Sequence, residues 1–187
     1  IMAWVKLPGG QDPDVILAAS NSAVGSTEIR FFYDGSYQSI PGIRYDVRTE
    51  ADTYFQLSSF PTNPRGDTWR HVAVTVAADG TVGLYVDGLL RTTGQEVGFF
   101  SAVPGLTTMS IGRNIDNTQP SGIQWPFYGR LSDLAVLDTP LPEAAIRAVY
   151  EGLDILSIST AVYAGTPTVG STHVDPATVL TWQPPLE

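Results

Sequence analysis

The chain has 187 residues, 43% of them hydrophobic and 10% aromatic, which excludes a disordered polypeptide. Nineteen acidic residues against ten basic ones give a formal net charge of −9. That balance argues against nucleic acid or an anionic membrane as partner, because both need clustered positive charge. Cysteine is absent, so neither disulfides nor thiolate metal sites are available.

A chain of this size buries roughly 70% of its unfolded surface, enough for a core without covalent staples. No apolar run approaches the roughly 18 residues of a membrane span, and no secretory leader is visible. The first residue is Ile1, and Ile1-Met2-Ala3-Trp4-Val5 already reads as strand, so the chain is expected to be part of a longer protein.

Eighteen Gly and 14 Pro punctuate the sequence, which suits short strands and turns better than helices. Strand-like runs come at residues 1–7, 15–19, 28–33, 43–48 and 54–58. A hairpin follows, Trp69-Arg70-His71-Val72-Ala73-Val74-Thr75-Val76 returning as Thr81-Val82-Gly83-Leu84-Tyr85-Val86. Turns are predicted at Asp79-Gly80 and Asp87-Gly88, because tight hairpins need the positive φ that Gly accepts without strain. Further strands are predicted at 108–112 and 127–137, and one helix at 142–151 with Gly152 as its C-cap. Regular short strands with turns at about ten-residue spacing predict an antiparallel β-sandwich. From Asp154 the composition shifts: Ser and Thr supply nine of the last 34 residues, with no Lys or Arg. A boundary is therefore placed between 153 and 154. Beyond it come a linker and a strand-like run at Thr178-Val179-Leu180-Thr181-Trp182.

Trp69-Arg70-His71-Val72, then Gly80, then Leu84-Tyr85-Val86-Asp87-Gly88, resembles the central hairpin of concanavalin A-like, laminin G-type jelly rolls. Ile111-Gly112-Arg113 and the closing Gly129-Arg130-Leu131-Ser132-Asp133-Leu134-Ala135-Val136, followed by Leu141-Pro142-Glu143 and Ile146, continue the match. So does Ala3-Trp4-Val5-Lys6. The resemblance spans roughly residues 1–152. It implies an all-β jelly-roll sandwich with one short C-terminal helix and an extended tail. Two features depart from the family pattern. The strand that usually precedes Ala-Trp-Val is absent, and the first Asp of the family's Asp-Asp pair is Ser132. The tail, residues 171–185, resembles the opening strand of an immunoglobulin-like or fibronectin-like domain. It is expected to dock against a sandwich or to mediate self-association.

The resembled fold also houses glycan hydrolases with a Glu-x-Asp-x-x-Glu strand. Here the nearest stretch, Glu50-Ala51-Asp52-Thr53-Tyr54-Phe55, replaces the last carboxylate by Phe55, so no enzymatic activity is expected. His71 is read as a side chain packed beside the sheet. Calcium is the expected cofactor, because hard oxygen ligands are abundant in loops. The resemblance to pentraxin-like lectins assigns it to Asn114 and Asp116, with Asp133 as a second candidate; the competing reading makes these residues turn-formers. Glycan binding needs exposed rings beside polar groups. Trp125 and Tyr128, in a loop with Pro120, Gly122 and Pro126, fit that need; Tyr33 and Tyr37 are further candidates. Trp4, Trp69 and Tyr85 are assigned to packing. The expected function is a non-catalytic extracellular or cell-surface recognition module for a glycan or partner protein, with calcium. The alternative is a structural spacer or assembly subunit of a secreted protein.

Overall fold

The structure, a computed structural model, describes residues 1–9, 13–21, 27–35, 41–49, 54–95, 103, 105–114, 125–155 and 157. Ten strands form two antiparallel five-stranded sheets packed face to face. The back sheet has the order β10-β1-β6-β7-β8, formed by β10 (Arg130–Ala135), β1 (Met2–Leu7), β6 (Gly66–Val76), β7 (Thr81–Val86) and β8 (Leu89–Gln95). The front sheet has the order β5-β4-β3-β2-β9, formed by β5 (Tyr54–Ser58), β4 (Gly42–Arg48), β3 (Glu28–Asp34), β2 (Asp14–Ser20) and β9 (Thr108–Ile111). One helix, α1 (Glu143–Tyr150), follows β10. The sandwich expected from the turn spacing is the observed architecture. The tail, with its predicted strand at 178–182, lies outside the described residues.

Alternation builds the core between the sheets. Val5, Leu7, Val72, Val74, Val82 and Leu84 of the back sheet meet Leu17, Ile29, Phe31, Ile43, Tyr45 and Val47 of the front sheet, all buried. Successive side chains of a strand point to opposite faces, so each sheet also carries a second, outward row. The back sheet's outward row is apolar. Met2, Ala73, Tyr85 and Ala135 bury themselves against Ile146 and Val149 of α1.

Two sequence expectations need correction. The turn after β6 is wider than a two-residue hairpin: Ala77 N–H donates to Thr81 O, and only Gly80 has positive φ (84°). Asp87-Gly88, by contrast, is the expected tight turn, with φ of 54° and 72°. The sequence reading also lacked β8 (Leu-Leu-Arg-Thr-Thr-Gly-Gln). This edge strand has no fully buried face, so no apolar alternation marks it.

His71 sits where predicted, at the side of the sheet, but without a polar partner. Its ring meets those of Trp4 (centroids 5.3 Å apart) and Tyr150 (6.4 Å), which also stack on each other (5.8 Å), and it is 1% exposed. Neither ring nitrogen has a hydrogen-bond partner among the described residues. Burial lowers the imidazole from its usual 6.5 to about 4, against a weaker opposing pull from the Asp87 carboxylate. The folded chain thus binds the proton more weakly than the unfolded one. The neutral ring's contribution is complete above pH 6.5 and is lost as pH falls towards about 4. Unfolding free energy measured in urea is expected to drop by about 3 kcal/mol across that window, and His71→Phe should flatten the slope. An unchanged slope would place the proton elsewhere.

The turn at Gly88 sets the position of α1. A Cβ at Gly88 would come within 3.0 Å of Arg147 Cα and of Tyr150 Cβ, and φ is already 72°. Gly88→Ala is therefore expected to cost about 1–2 kcal/mol in thermal unfolding.

Candidate functional site

The outward row of the front sheet is charged. In β3, Ile29, Phe31 and Tyr33 face the core, so Glu28, Arg30, Phe32 and Asp34 face out. In β4, Arg44, Asp46 and Arg48 face out by the same alternation. The antiparallel register sets Arg30 opposite Asp46, Phe32 opposite Arg44 and Glu28 opposite Arg48. Arg30 Nη2 lies 3.1 Å from Asp46 Oδ2 and 3.3 Å from Glu28 Oε1. Arg44 Nε lies 3.7 Å from Asp34 Oδ2. Gln56 Nε2 of β5 donates to Asp46 Oδ2. Glu28, Arg30, Asp34, Arg44 and Asp46 are all buried, and buried charge persists only when paired, which is what the ladder provides.

A loop segment lies over this row. Val15 N–H donates to Trp125 O (3.3 Å), and Phe127 N–H donates to Gly112 O (2.8 Å). Tyr128 N–H donates to Asp14 Oδ1 (2.7 Å). These bonds carry residues 125–128 along the start of β2. Trp125 adopts φ 52°, a left-handed conformation uncommon for a large side chain. Its ring stacks on Phe32 (centroids 6.2 Å apart, planes at 21°), and the Arg30 guanidinium lies 4.5 Å from its centroid. The ring is half-buried, with Val15 and Ala18 completing its floor. Arg30, held by two carboxylates, thus lies over the indole within the range of cation–π attraction. Tyr128 is exposed (45%).

Tyr33 does not offer a surface ring: it is 1% exposed and faces the core. Its hydroxyl donates to Asn63 Oδ1, and the Arg65 guanidinium covers its ring at 4.6 Å. Arg65 Nη2 pairs with Asp14 Oδ2 at 3.1 Å. This network fixes the loop after β5 to the start of β2. Trp69, assigned to packing from the sequence, is 42% exposed instead. Alternation past His71 turns it outward, in the exposed first half of β6.

Of the candidate calcium ligands, Asn114 is fully buried; its Nδ2 donates to Glu28 Oε2 (3.5 Å), and its Oδ1 has no hydrogen-bond partner among the described residues. A buried orphan oxygen fits one hard-cation ligand. Asp133 lies on β10 of the other sheet, exposed, at a bulge with φ 50°, and its Oδ2 accepts from Ser132 Oγ. Among the described residues no three His, Cys, Asp or Glu side chains come together as a metal cluster. Asp116, Tyr37, Glu50 and Asp52 lie outside the described residues.

Residues 1–147 match a laminin G family described as the concanavalin A-like lectin/glucanases superfamily. The chain belongs to this superfamily. No curated protein matches it. Among solved structures, this superfamily member is similar to the CBM40 module of Ruminococcus gnavus IT-sialidase bound to α2,3-sialyllactose. The identity is 16%, with 80% of each chain covered and a TM-score of 0.64. It is also similar to leech intramolecular trans-sialidase: 17% identity over 82% of this chain but 23% of that one, TM-score 0.65. A SAP-like pentraxin from Limulus polyphemus gives 20% identity over 80% of this chain and 67% of that one, TM-score 0.55. At these identities the likeness is one of fold.

Within this concanavalin A-like frame, the sequence named Trp125 and Tyr128 as candidates but not the residues that surround them in the structure: Asp14, Glu28, Arg30, Phe32, Asp46 and Arg65. The available signal was the even-numbered polar row of residues 28–34, interrupted only by Phe32. The arrangement supplies a propped aromatic surface beside hydrogen-bonding charged groups. Asp14 couples the two halves, since it takes both the Tyr128 amide and the Arg65 guanidinium. Asp14→Ala removes a buried carboxylate and takes this partner from the Tyr128 amide and from the Arg65 guanidinium, which is itself 25% exposed, and is expected to cost about 1.5–3 kcal/mol in urea unfolding. A loss under about 1 kcal/mol would mean the pair is not buried in solution.

Proposed function

We propose that the chain is a non-catalytic glycan-binding module whose ligand docks on Trp125 and Tyr128 at the outward face of the front sheet. The observation that carries this reading is the Trp125 indole, held at positive φ and backed by Phe32 and the Arg30 guanidinium. Sugar C–H faces stack on such rings, and hydroxyls take hydrogen bonds from flanking polar groups. The module resembled in Ruminococcus gnavus is bound to sialyllactose, which supports sugar as the ligand class. The proposal extends to an extracellular or cell-surface setting within a longer chain. It extends also to calcium held by Asn114 with Asp116, where the cation would supply positive charge to sugar hydroxyls.

Binding on a glycan array, followed by calorimetry on the hits, tests the reading. Trp125→Ala is expected to weaken the best ligand at least about tenfold, while the melting temperature falls by no more than a few degrees. Full affinity in this variant would remove Trp125 from the site. If calcium assists, it binds the folded state alone and raises the melting temperature by mass action, and a chelator reverses the shift. Asn114→Ala should abolish that shift.

The alternative, an assembly subunit, draws on edge strand β9, where Met109 and Ile111 are each 49% exposed on the core-facing side. A concentration-dependent oligomer in light scattering that is lost on Met109→Lys would favour it.

A further inference from the structure

We infer that this face takes uncharged sugars and turns away acidic ones, an inference that rests on the glycan-binding reading above. All ten cationic side chains lie among the described residues, so each can be placed. Three stand on the outward row of the front sheet, two of them ion-paired with carboxylates and the third opposite one in the ladder. Arg30 lies between Asp46 and Glu28, Arg44 beside Asp34, and Arg48 opposite Glu28 in the ladder. At the rim, Arg65 is held by Asp14. Lys6, Arg70 and Arg147 pair with Asp67, Asp87 and Glu151, and Arg91 and Arg130 belong to the back sheet. Arg113 is exposed, just after β9.

The row is therefore neutral as built: Glu28, Asp34 and Asp46 against Arg30, Arg44 and Arg48. A carboxylate or sulfate on a sugar could gain a guanidinium only by displacing one of these acids. The displaced acid would remain buried and unpaired beside a second negative charge, which opposes binding. A hydroxyl makes no such demand. Two groups converge on Glu28: the Arg30 guanidinium and the Asn114 carboxamide. Each keeps one buried atom without a hydrogen-bond partner among the described residues, the donor Arg30 Nε and the acceptor Asn114 Oδ1. Both atoms are closed off from the surface, so neither is offered to an acidic group on a docked sugar.

The test uses neutral oligosaccharides and their sialylated, uronate-bearing and sulfated counterparts on matched cores, titrated into the full chain with calcium and with chelator. The neutral member is expected to bind at least about tenfold tighter than its acidic partner, with an affinity nearly independent of salt. Asp46→Asn removes one of Arg30's two carboxylates and is expected to narrow or reverse the preference. Should that variant not fold, the salt series on the unmodified chain still decides. Acidic sugars bound as tightly as neutral ones, with an affinity that falls steeply with salt, would overturn the inference while leaving the glycan reading intact. Retention of neither class would overturn both.

Discussion

β1 holds the rest of the molecule in register. It lies inside the back sheet, with β10 on one side and β6 on the other, and so joins the first and last of the described strands. Because β10 is pinned there, the segment just before it must reach the front sheet and the segment just after it must reach the back sheet. The first delivers Trp125 and Tyr128, the second α1. The crossing is tight: a side chain at Gly129 would collide with the Lys6 carbonyl and the Phe127 ring. Only a residue without Cβ lets the loop that carries the candidate site join the strand that carries the helix.

The two outward faces solve the burial problem differently. The back sheet buries small and apolar side chains under α1, where contact area alone is stabilising. The front sheet buries charges, which cost free energy unless each meets its opposite. The antiparallel register supplies the partners, since residues opposite one another across adjacent strands share a face. A shift of one residue between β3 and β4 would place Arg30 opposite Tyr45 or Val47 and strand several ions at once. The charged row therefore fixes the pairing as firmly as the core does, and the same requirement leaves it electrically neutral.

Sequence patterning revealed what alternation and turn chemistry encode. The strands with a buried face, the tight turn at Asp87-Gly88 and the helix were legible because each has a local signature. β8 was not, since an exposed edge strand needs no apolar period. Tyr33 and Trp69 were misplaced for a related reason. An aromatic in a strand takes its exposure from the parity of its position and from what lies above it, and only the first is in the sequence. Tyr33 shares the parity of Ile29 and Phe31, so its burial could have been read; the openness above Trp69 could not. Trp125 and Tyr128 stood out by their Pro-rich surroundings, whereas Arg30 became relevant only once β3 and β4 were paired.

Trp125 is held by an arrangement that core packing does not require. A left-handed backbone costs a non-glycine residue about 1–2 kcal/mol, and asparagine or glycine would meet the turn at lower cost. The indole's contacts with Phe32 and Arg30 offset that cost, as ring stacking and a partly desolvated cation–π contact contribute about 0.5–2 kcal/mol each. The offset works only because Arg30 is already tied to Glu28 and Asp46; an untethered guanidinium would remain in water. The ion pairs thus do two things at once: they make a buried charge tolerable, and they turn that charge into a rigid base for an aromatic ring at the surface of the sheet.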